Sequence, residues 1–226
     1  MKSLPAILLT LITGASCAPA RPAAPSSPTL PTSRPASQPS AVAPEPNALQ
    51  SLHLRLVLNP TTGDVVYFGW YDGRRNLLGP GGITTAIVGN PPPELRGQLR
   101  RTGDRELLYQ GVDENQIAWT KRYHLVDDHT VAVTHTIQNR GDRAFDAILY
   151  SLADLPDATI SGDNRDQHVR SPIATAHFHA DLTNPYFPGE QMNPSALRSD
   201  SKHLEPGESL TFNMTWQLDV ARPSRP

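Results

Sequence analysis

This chain has almost no cysteine and no long apolar run. Cys17 is the only cysteine among the 226 residues, so no disulfide can form within the chain. A folded domain must therefore be held by its own apolar core. The apolar stretch from Leu4 to Ile12 is too short for a membrane-spanning helix, which needs about 20 apolar residues. These absences exclude a disulfide scaffold and a transmembrane helix at this position.

A positively charged block is missing as well. The chain has 20 Lys and Arg and 22 Asp and Glu. Three of the basic residues and one of the acidic residues precede residue 47. Residues 47–226 therefore have 17 basic and 21 acidic residues, and a net charge near −4. Nucleic-acid binding needs a positive stripe and is disfavoured. Gly79-Pro80-Gly81-Gly82 lacks the Lys and Ser/Thr of a phosphate-binding loop, and no Ser lies in a nucleophile elbow. We expect no cofactor.

The first 17 residues have the order of an export signal. Lys2 gives a positive start, the apolar stretch follows, and small residues lead to Cys17. The ending Thr13-Gly14-Ala15-Ser16-Cys17 resembles a bacterial lipoprotein signal. That resemblance implies that Cys17 is lipidated, becomes the N-terminus and anchors the protein to a membrane.

The lipid anchor predicts a place in the bacterial cell envelope, on the periplasmic face. Ala18 stands where an Asp would resemble an inner-membrane retention signal, so the outer membrane is favoured. Two alternatives stay open. Cleavage near Ala18-Pro19-Ala20 would release a soluble protein, and a Cys17 that is not lipidated would be a free thiol.

Residues 18–46 form a second compositional class. Of these 29 residues, 9 are Pro, 7 Ala, 5 Ser and 2 Thr, so they cannot bury enough apolar surface to offset their ordering entropy. The frequent prolines favour extended polyproline-like geometry, which at about 3.1 Å per residue reaches up to ~90 Å. We predict a disordered spacer that precedes one domain at 47–221, with a disordered tail at 222–226.

The remaining chain is typical of an all-β protein. Apolar and polar residues alternate along several segments, as in strands with one face on a core and one in water, and no segment has sustained helical spacing. The clearest segments are Leu52–Leu58, Thr130–Gln138 and Leu210–Val220. Weaker ones are Asp64–Tyr71, Ile83–Val88, Glu106–Gln110, Ile117–Val126, Ala144–Leu152 and Ala174–Leu182. Many short strands separated by turns favour an antiparallel β-sandwich.

Three short segments predict turns. Asn139-Arg140-Gly141-Asp142 separates two strand-like runs and is typical of a hairpin connection. Pro206-Gly207 fits a type II turn in which Gly takes the positive φ. Asp72-Gly73 predicts a further turn.

Four signatures, in order along the chain, resemble the galactose mutarotase-like β-sandwich superfamily, in a branch of bacterial exported proteins. The first is an opening strand that turns through glycine and reaches Asn-Leu-Leu, and the second is a Gly-Gly pair. The third is two paired strands, and the last is a Leu-x-Pro-Gly-Glu turn before the final strand. They are Asn59–Phe68 with Asp72-Gly73 and Asn76–Gly79, then Gly81-Gly82, then Ala118–Leu125 with Thr130–Asn139, then Leu204–Ser209 leading to Trp216.

The resemblance implies a reduced mutarotase-like sandwich and a carbohydrate ligand. Mutarotases open and close a sugar ring with a histidine acid and a glutamate base, whose pKa values must be moved apart. Glu190 is the nearest candidate for the base, with a surface carboxylate as the alternative. The family's sequence around its histidine acid is matched only by Thr183–Phe187, where Pro185 stands in place of the histidine. Strong catalysis is therefore not expected.

The most suggestive cluster is His177, His179 and Asp181. Residues two apart on a strand share a face, so Ala174–Leu182 predicts these three on one face and its alanines, Phe178 and Leu182 on the core. Two imidazoles and a carboxylate can bind sugar hydroxyls or a divalent metal, or form a solvated polar face. We take His177 as the candidate acid, His179 and Asp181 as candidate sugar ligands, and predict no metal.

Two aromatic positions and one histidine have both a core and a binding interpretation. Trp119 and Tyr123 share one face of a strand; an aromatic ring there can pack in the core or stack on a sugar, and Trp119 is kept as a candidate ligand. His135 shares the apolar face of its strand with three aliphatic residues, which favours a buried, hydrogen-bonded histidine.

Three functions remain open from the sequence. The first is a lipid-anchored envelope protein that binds carbohydrate without strong catalysis. The second is a reduced sugar epimerase that uses Glu190 with His177 or His179. The third is an envelope assembly module that contacts a protein partner through its sheet edges, which an unbroken apolar patch would favour.

Overall fold

The computed structural model describes residues 45–87, 94–163, 165–182 and 196–219, which belong to one compact unit, Val42–Pro226. Within these ranges every regular element is a strand. No membrane-spanning helix is found among the described residues. The strands are β1 Ala48–Gln50, β2 Leu54–Leu58, β3 Val65–Trp70, β4 Ile83–Ile87, β5 Arg96–Gly103, β6 Glu106–Val112, β7 Ile117–Leu125, β8 Thr130–Asn139, β9 Phe145–Ala147, β10 Leu149–Ala153, β11 Thr159–Gly162, β12 Asp166–Arg170, β13 Thr175–Ala180, β14 Ala196–Arg198, β15 Lys202–Leu204 and β16 Ser209–Asp219.

Two antiparallel sheets form a β-sandwich, as the sequence predicts. The smaller has six strands in the order β1-β2-β3-β4-β10-β14, and the larger has eight in the order β11-β12-β13-β16-β8-β7-β6-β5. A separate two-stranded sheet pairs β15 with β9. The strands β6, β7, β8 and β16 lie next to each other in the larger sheet.

The core lies between the two sheets because every second residue of the long strands is apolar. Trp216 of β16 is fully buried, and its ring lies 6.0–6.1 Å from the rings of Phe68, Phe178 and Tyr123. Phe68 comes from the smaller sheet and the other three from the larger. These aromatic contacts therefore join the sheets, and each ring buries a large apolar area.

Several sequence predictions are confirmed. The three clearest alternating segments form β2, β8 and β16, and β7 pairs with β8 along its whole length. Gly207 has a φ of 89°, and the N–H of Glu208 donates to the carbonyl of Glu205 over 3.0 Å, as a type II turn requires. Gly73 has a φ of 72° in the predicted turn after Trp70.

Leu52 was expected on the core face of the first alternating segment, and this was wrong. Leu52 is 72% exposed, and the strand begins only at Leu54. The side chain of Ser51 accepts hydrogen bonds from the N–H groups of His53 and Leu54, so the chain turns before it becomes extended.

The predicted hairpin at residues 139–142 is also wrong. The strand that follows it, β9, pairs with β15 and not with β8. The segment Ala144–Leu152 is not one strand: β9 and β10 lie in different sheets, with a break at Ile148. Asn139 ends β8 with a loop, because its amide donates to the carbonyls of Arg143 and Leu204 and its side-chain oxygen accepts from Gly141.

The turn between β2 and β3 is fixed to the larger sheet by hydrogen bonds. Two tyrosine hydroxyls cross the sandwich: Tyr109 donates to the carbonyl of Thr61 and Tyr123 to that of Gly63, each over 2.8 Å. Gly63 has a φ of 68°, and a Cβ there would lie 2.4 Å from the Tyr109 ring. Only glycine fits this position without displacing the ring.

Lys121 of β7 lies between the two tyrosines and completes this attachment. Its side chain is 1% exposed, and its ammonium donates to the carbonyl of Thr62 over 3.0 Å and to the carboxylate of Asp64 over 2.5 Å. Burial lowers the pKa of Lys121, and the carboxylate of Asp64 acts in the opposite direction. We call this set of contacts the turn anchor: residues Thr61–Asp64 held by Tyr109, Lys121 and Tyr123.

His135 extends the turn anchor and is buried and hydrogen-bonded, as the sequence favours. The single hydroxyl proton of Tyr123 goes to the turn, so Tyr123 accepts from the Nε2–H of His135 over 3.2 Å. The Nδ1 atom then accepts from the hydroxyl of Thr85 over 3.0 Å. Burial lowers the pKa of His135 well below its usual value, and the charge of Lys121 adds to this effect, which agrees with a neutral ring.

We predict that Lys121→Met lowers the free energy of unfolding by about 2–3 kcal/mol, because it leaves the Thr62 carbonyl and the Asp64 carboxylate without their donor. Arg122→Met is the matched control: the neighbouring side chain is exposed, and its loss is expected to change stability by less than about 0.5 kcal/mol. Urea unfolding followed by tryptophan fluorescence measures both. Equal effects of the two substitutions would show that the turn anchor does not stabilise the fold.

Candidate functional site

The outer face of the eight-stranded sheet carries polar side chains because its inner face is apolar. Alternate residues of a strand point to opposite faces, so Gln110, Thr120 and Arg122 point outward where Tyr109, Lys121 and Tyr123 point inward. The same alternation holds along β8 and β16. We call this surface the outer face.

One line of residues crosses five strands of the outer face in direct register. Gln98 of β5 pairs with Gln110, which pairs with Thr120, then Thr136, then Thr211 of β16. Neighbouring strands are about 4.8 Å apart, so the line spans about 19 Å. We call these five residues the polar row. Its members are amides and hydroxyls, and each can both donate and accept a hydrogen bond.

A second line runs beside the polar row and begins with an arginine. Arg100, Leu108, Arg122, Thr134 and Asn213 are in register across the same five strands. The hydroxyl of Thr134 donates to the side-chain oxygen of Asn213 over 3.1 Å, and Thr136 and Thr211 share a hydrogen bond of 3.1 Å in the polar row. Short polar side chains that bond to one another therefore cover the outer face of β8 and β16, whereas Leu108 of β6 is apolar and buried.

A cleft of about 470 Å³ opens at the β5 end of the polar row. It is lined by Arg96, Gly97, Gln98, Arg100 and Gln110. Gly97 points inward, where a Cβ would lie 2.2 Å from the carbonyl of Gln110. Glycine therefore lets the edge strand approach β6 closely. We call this the arginine cleft.

A second cleft, of about 460 Å³, lies among loops away from the outer face. Its lining includes Asn115, Asn139, Gly141, Arg143 and Phe145. The Asn139 side chain already makes three hydrogen bonds that hold the loop after β8. One polar side chain of the loop cleft is therefore committed to the fold.

The predicted histidines share the outer face, and a carboxylate that the sequence analysis missed joins them. Asp166 of β12 is in register with His179, and its Oδ1 atom accepts from His179 Nδ1 over 2.7 Å and from His177 Nε2 over 3.2 Å. These bonds lower the pKa of Asp166, with the bond from His179 as the largest cause. They leave His179 Nε2 and His177 Nδ1 as acceptors for a ligand hydroxyl when the rings are neutral.

His168 stacks on His177 and extends this cluster. The two rings are 4.4 Å apart and almost parallel, at 2°. Asp181 was expected to join the histidines, but the contacts of the cluster do not include it, and its backbone N–H donates to the carbonyl of Asn213. Across the described parts of the chain, no three His, Cys, Asp or Glu side chains form a group that could hold a metal ion.

The other candidate residues lie elsewhere. Trp119 points inward, is 1% exposed, and donates its ring N–H to the buried carboxylate of Asp113 over 3.1 Å. No face of its ring is open for a sugar, so its interpretation as a ligand is corrected to a core residue. Glu190, Thr183–Phe187 and Cys17 lie outside the described residues.

Sequence reasoning missed the polar row and the arginine cleft. Each member of the row lies on a different strand, so only the register of four strand pairs brings them into line. Arg96–Gly103 has no alternating apolar residues that would predict a strand, and it forms an edge strand with one neighbour in the described sheet. A local signal for Asp166 did exist: Asp166, His168 and Arg170 alternate with Gln167 and Val169.

Solved structures share this architecture. A candidate aldose 1-epimerase from Escherichia coli K12 superposes with a TM-score of 0.54 at 14% identity, over 77% of this chain and 99% of that one. A galactose mutarotase related enzyme from Lactobacillus acidophilus gives 0.53 at 7% identity, over 79% and 99%. A TPR-domain containing protein from Parabacteroides distasonis gives 0.57 at 15% identity, over 79% of this chain and 49% of that one.

The chain has the galactose mutarotase-like fold. This confirms the resemblance seen in the sequence, and identities of 7–15% show the fold alone. No protein-family model and no curated protein matches the sequence. The function of the mutarotase-like domain therefore depends on its own side chains.

We predict that His179→Ala raises the pKa of Asp166 towards the ordinary aspartate value, and that His177→Ala raises it less, because the bond from His179 is the larger cause. A carboxyl NMR titration measures this. A depressed folded-state pKa stabilises the fold above about pH 4, and this contribution is lost as pH falls through the lower folded value. An unchanged pKa in His179→Ala would contradict the assigned hydrogen bond.

Proposed function

We propose that the mutarotase-like domain binds carbohydrate on the outer face, without strong catalysis, in a lipid-anchored protein of the cell envelope. The observation that carries this proposal is the polar row, Gln98, Gln110, Thr120, Thr136 and Thr211, which is continuous in register across five strands. The fold supports it by likeness to a galactose mutarotase related enzyme.

The chemistry of the polar row suits sugar hydroxyls. A sugar presents closely spaced groups that both donate and accept, and threonine hydroxyls and glutamine amides do the same. The row is open to solvent, so its side chains exchange water for ligand without breaking the core. The stacked rings of His168 and His177, 4.4 Å apart, add a flat surface at the other side of the outer face.

The arrangement of the histidine cluster favours binding over ring opening. Acid–base catalysis of ring opening needs two groups on opposite sides of one C–O bond with separated pKa values. Here both histidines bond to the same oxygen of Asp166, at 2.7 and 3.2 Å, so the three groups are held together on one side. The epimerase alternative depends on Glu190, and the same experiment tests it.

The proposal includes the cellular location of the domain. A lipid on Cys17 would hold the protein at the membrane, and the Pro/Ala/Ser-rich residues 18–46 would act as a spacer of up to ~90 Å. The outer face would then be presented to glycans of the envelope. Labelling with a radioactive fatty acid tests this, and a Cys17→Ala variant that keeps the label would contradict it.

We expect the full chain to bind oligosaccharides with millimolar affinity in isothermal titration calorimetry. Thr136→Val, at the centre of the polar row, should weaken binding about fivefold, because one hydrogen bond of about 1 kcal/mol is lost. Thr175→Val is the matched control, since Thr175 lies on the outer face of β13 away from the row.

Three results would count against this proposal. Absence of binding across neutral and acidic oligosaccharides would remove the proposed function. Equal affinities for Thr136→Val and Thr175→Val would move the binding site away from the polar row. Added protein should leave the rate of aldose mutarotation unchanged, and a faster rate that is lost in Glu190→Gln would favour the epimerase instead.

A further inference from the structure

Two arginines of the edge strand lie on either side of the first residue of the polar row. Arg96 and Arg100 are each two residues from Gln98, so all three side chains share one face of β5 and line the arginine cleft. Their Cα atoms are about 13 Å apart along an extended strand. No hydrogen bond or ion pair links either guanidinium to another described residue.

The surroundings leave this end of the outer face positive. Arg122 lies two strands from Arg100 in the same line, and its Nε atom forms a long ion pair of 3.9 Å with Glu106. Glu106 itself accepts a bond of 2.6 Å from Thr102. Arg96, Arg100 and Arg122 therefore lie at this end of the outer face, and of the three only Arg122 has an ion pair with a carboxylate among the described residues.

Three other arginines of the domain are bound to the fold. Arg101 points away from the cleft and donates to the backbone carbonyls of Gly103 and Asp104, and Arg105 donates to that of Leu125. Arg55 pairs with Glu45 over 2.7 Å. Arg96 and Arg100 make no such bond to the described residues, and both line the arginine cleft. Guanidinium groups suit the paired oxygens of carboxylates and phosphates.

We propose that the arginine cleft binds the negatively charged group of an anionic saccharide, whose remaining rings lie along the polar row. This rests on the proposed function and names its ligand class. Gln98 and Gln110 belong to both the cleft and the row, so an acidic group held there continues directly onto the hydroxyl-binding residues. The row is about 19 Å long, so affinity should grow from monosaccharide to oligosaccharide.

The test compares charged and uncharged forms of one ligand on the full chain. The probes are tetragalacturonate and its methyl ester, which differ in charge at the carboxyl groups, with glucose 6-phosphate and glucose as the phosphate arm. We expect calorimetry to give at least tenfold tighter binding for an anionic form, weakened by added salt. The tighter of the two anionic probes shows whether carboxylate or phosphate is the preferred group.

Substitutions place the effect at the cleft. Arg100→Gln and Arg96→Gln should each weaken binding of the anionic probe about tenfold and leave the neutral probe unchanged, because a charge-assisted bond is lost. Arg170→Gln is the matched control: Arg170 is exposed on the outer face of β12, far from β5. Circular dichroism checks that each variant keeps its β-structure.

The outcomes separate this inference from the proposed function. Equal binding of charged and neutral probes, or equal loss in Arg100→Gln and Arg170→Gln, overturns the anionic ligand and leaves carbohydrate binding in place. Binding of none of the four probes overturns both. Preference for the anionic probe, removed by Arg100→Gln but not by Arg170→Gln, supports both.

Discussion

Three side chains of the larger sheet hold the turn between β2 and β3, and much of the molecule depends on this attachment. Tyr109, Lys121 and Tyr123 donate to consecutive carbonyls of the turn, and Lys121 also pairs with Asp64. A buried ammonium is costly unless it is paired, so these contacts fix both the turn and the strands that carry the donors. They join the two sheets where an apolar core alone would allow sliding.

The turn anchor also decides what the outer face presents. Once Tyr109, Lys121 and Tyr123 point inward, strand geometry requires Gln110, Thr120 and Arg122 to point outward. A slip of one residue in either strand would bury these groups and expose the donors of the anchor. The stability of the core and the composition of the candidate site are therefore two results of one register. The arginine cleft follows from the same register, because β5 pairs with β6 along Gln98 and Gln110.

The sequence predicts the class of fold well, because alternation is a local property. Leu210–Val220 and Thr130–Gln138 show it clearly, and both are central strands of the larger sheet. The site is harder to predict from the sequence, because its residues meet only through pairing between strands that are distant in the chain. Asp166 meets His179 through the register of β12 with β13. The strand β9, Phe145–Ala147, follows β8 in the chain but pairs with β15 near the C-terminus. Lys121 did carry a signal, a charge on an apolar face, but its partner Asp64 is 57 residues away.

We propose that a saccharide lies on the outer face, along the polar row. The most direct measurement is the change in backbone amide NMR shifts when tetragalacturonate is added to the full chain. We predict that shifts concentrate in β5, β6, β7, β8 and β16, and are largest at Gln98 and Gln110. Shifts concentrated instead at the loop cleft, around Asn115 and Arg143, would contradict the claim and place the ligand at the side of the sandwich.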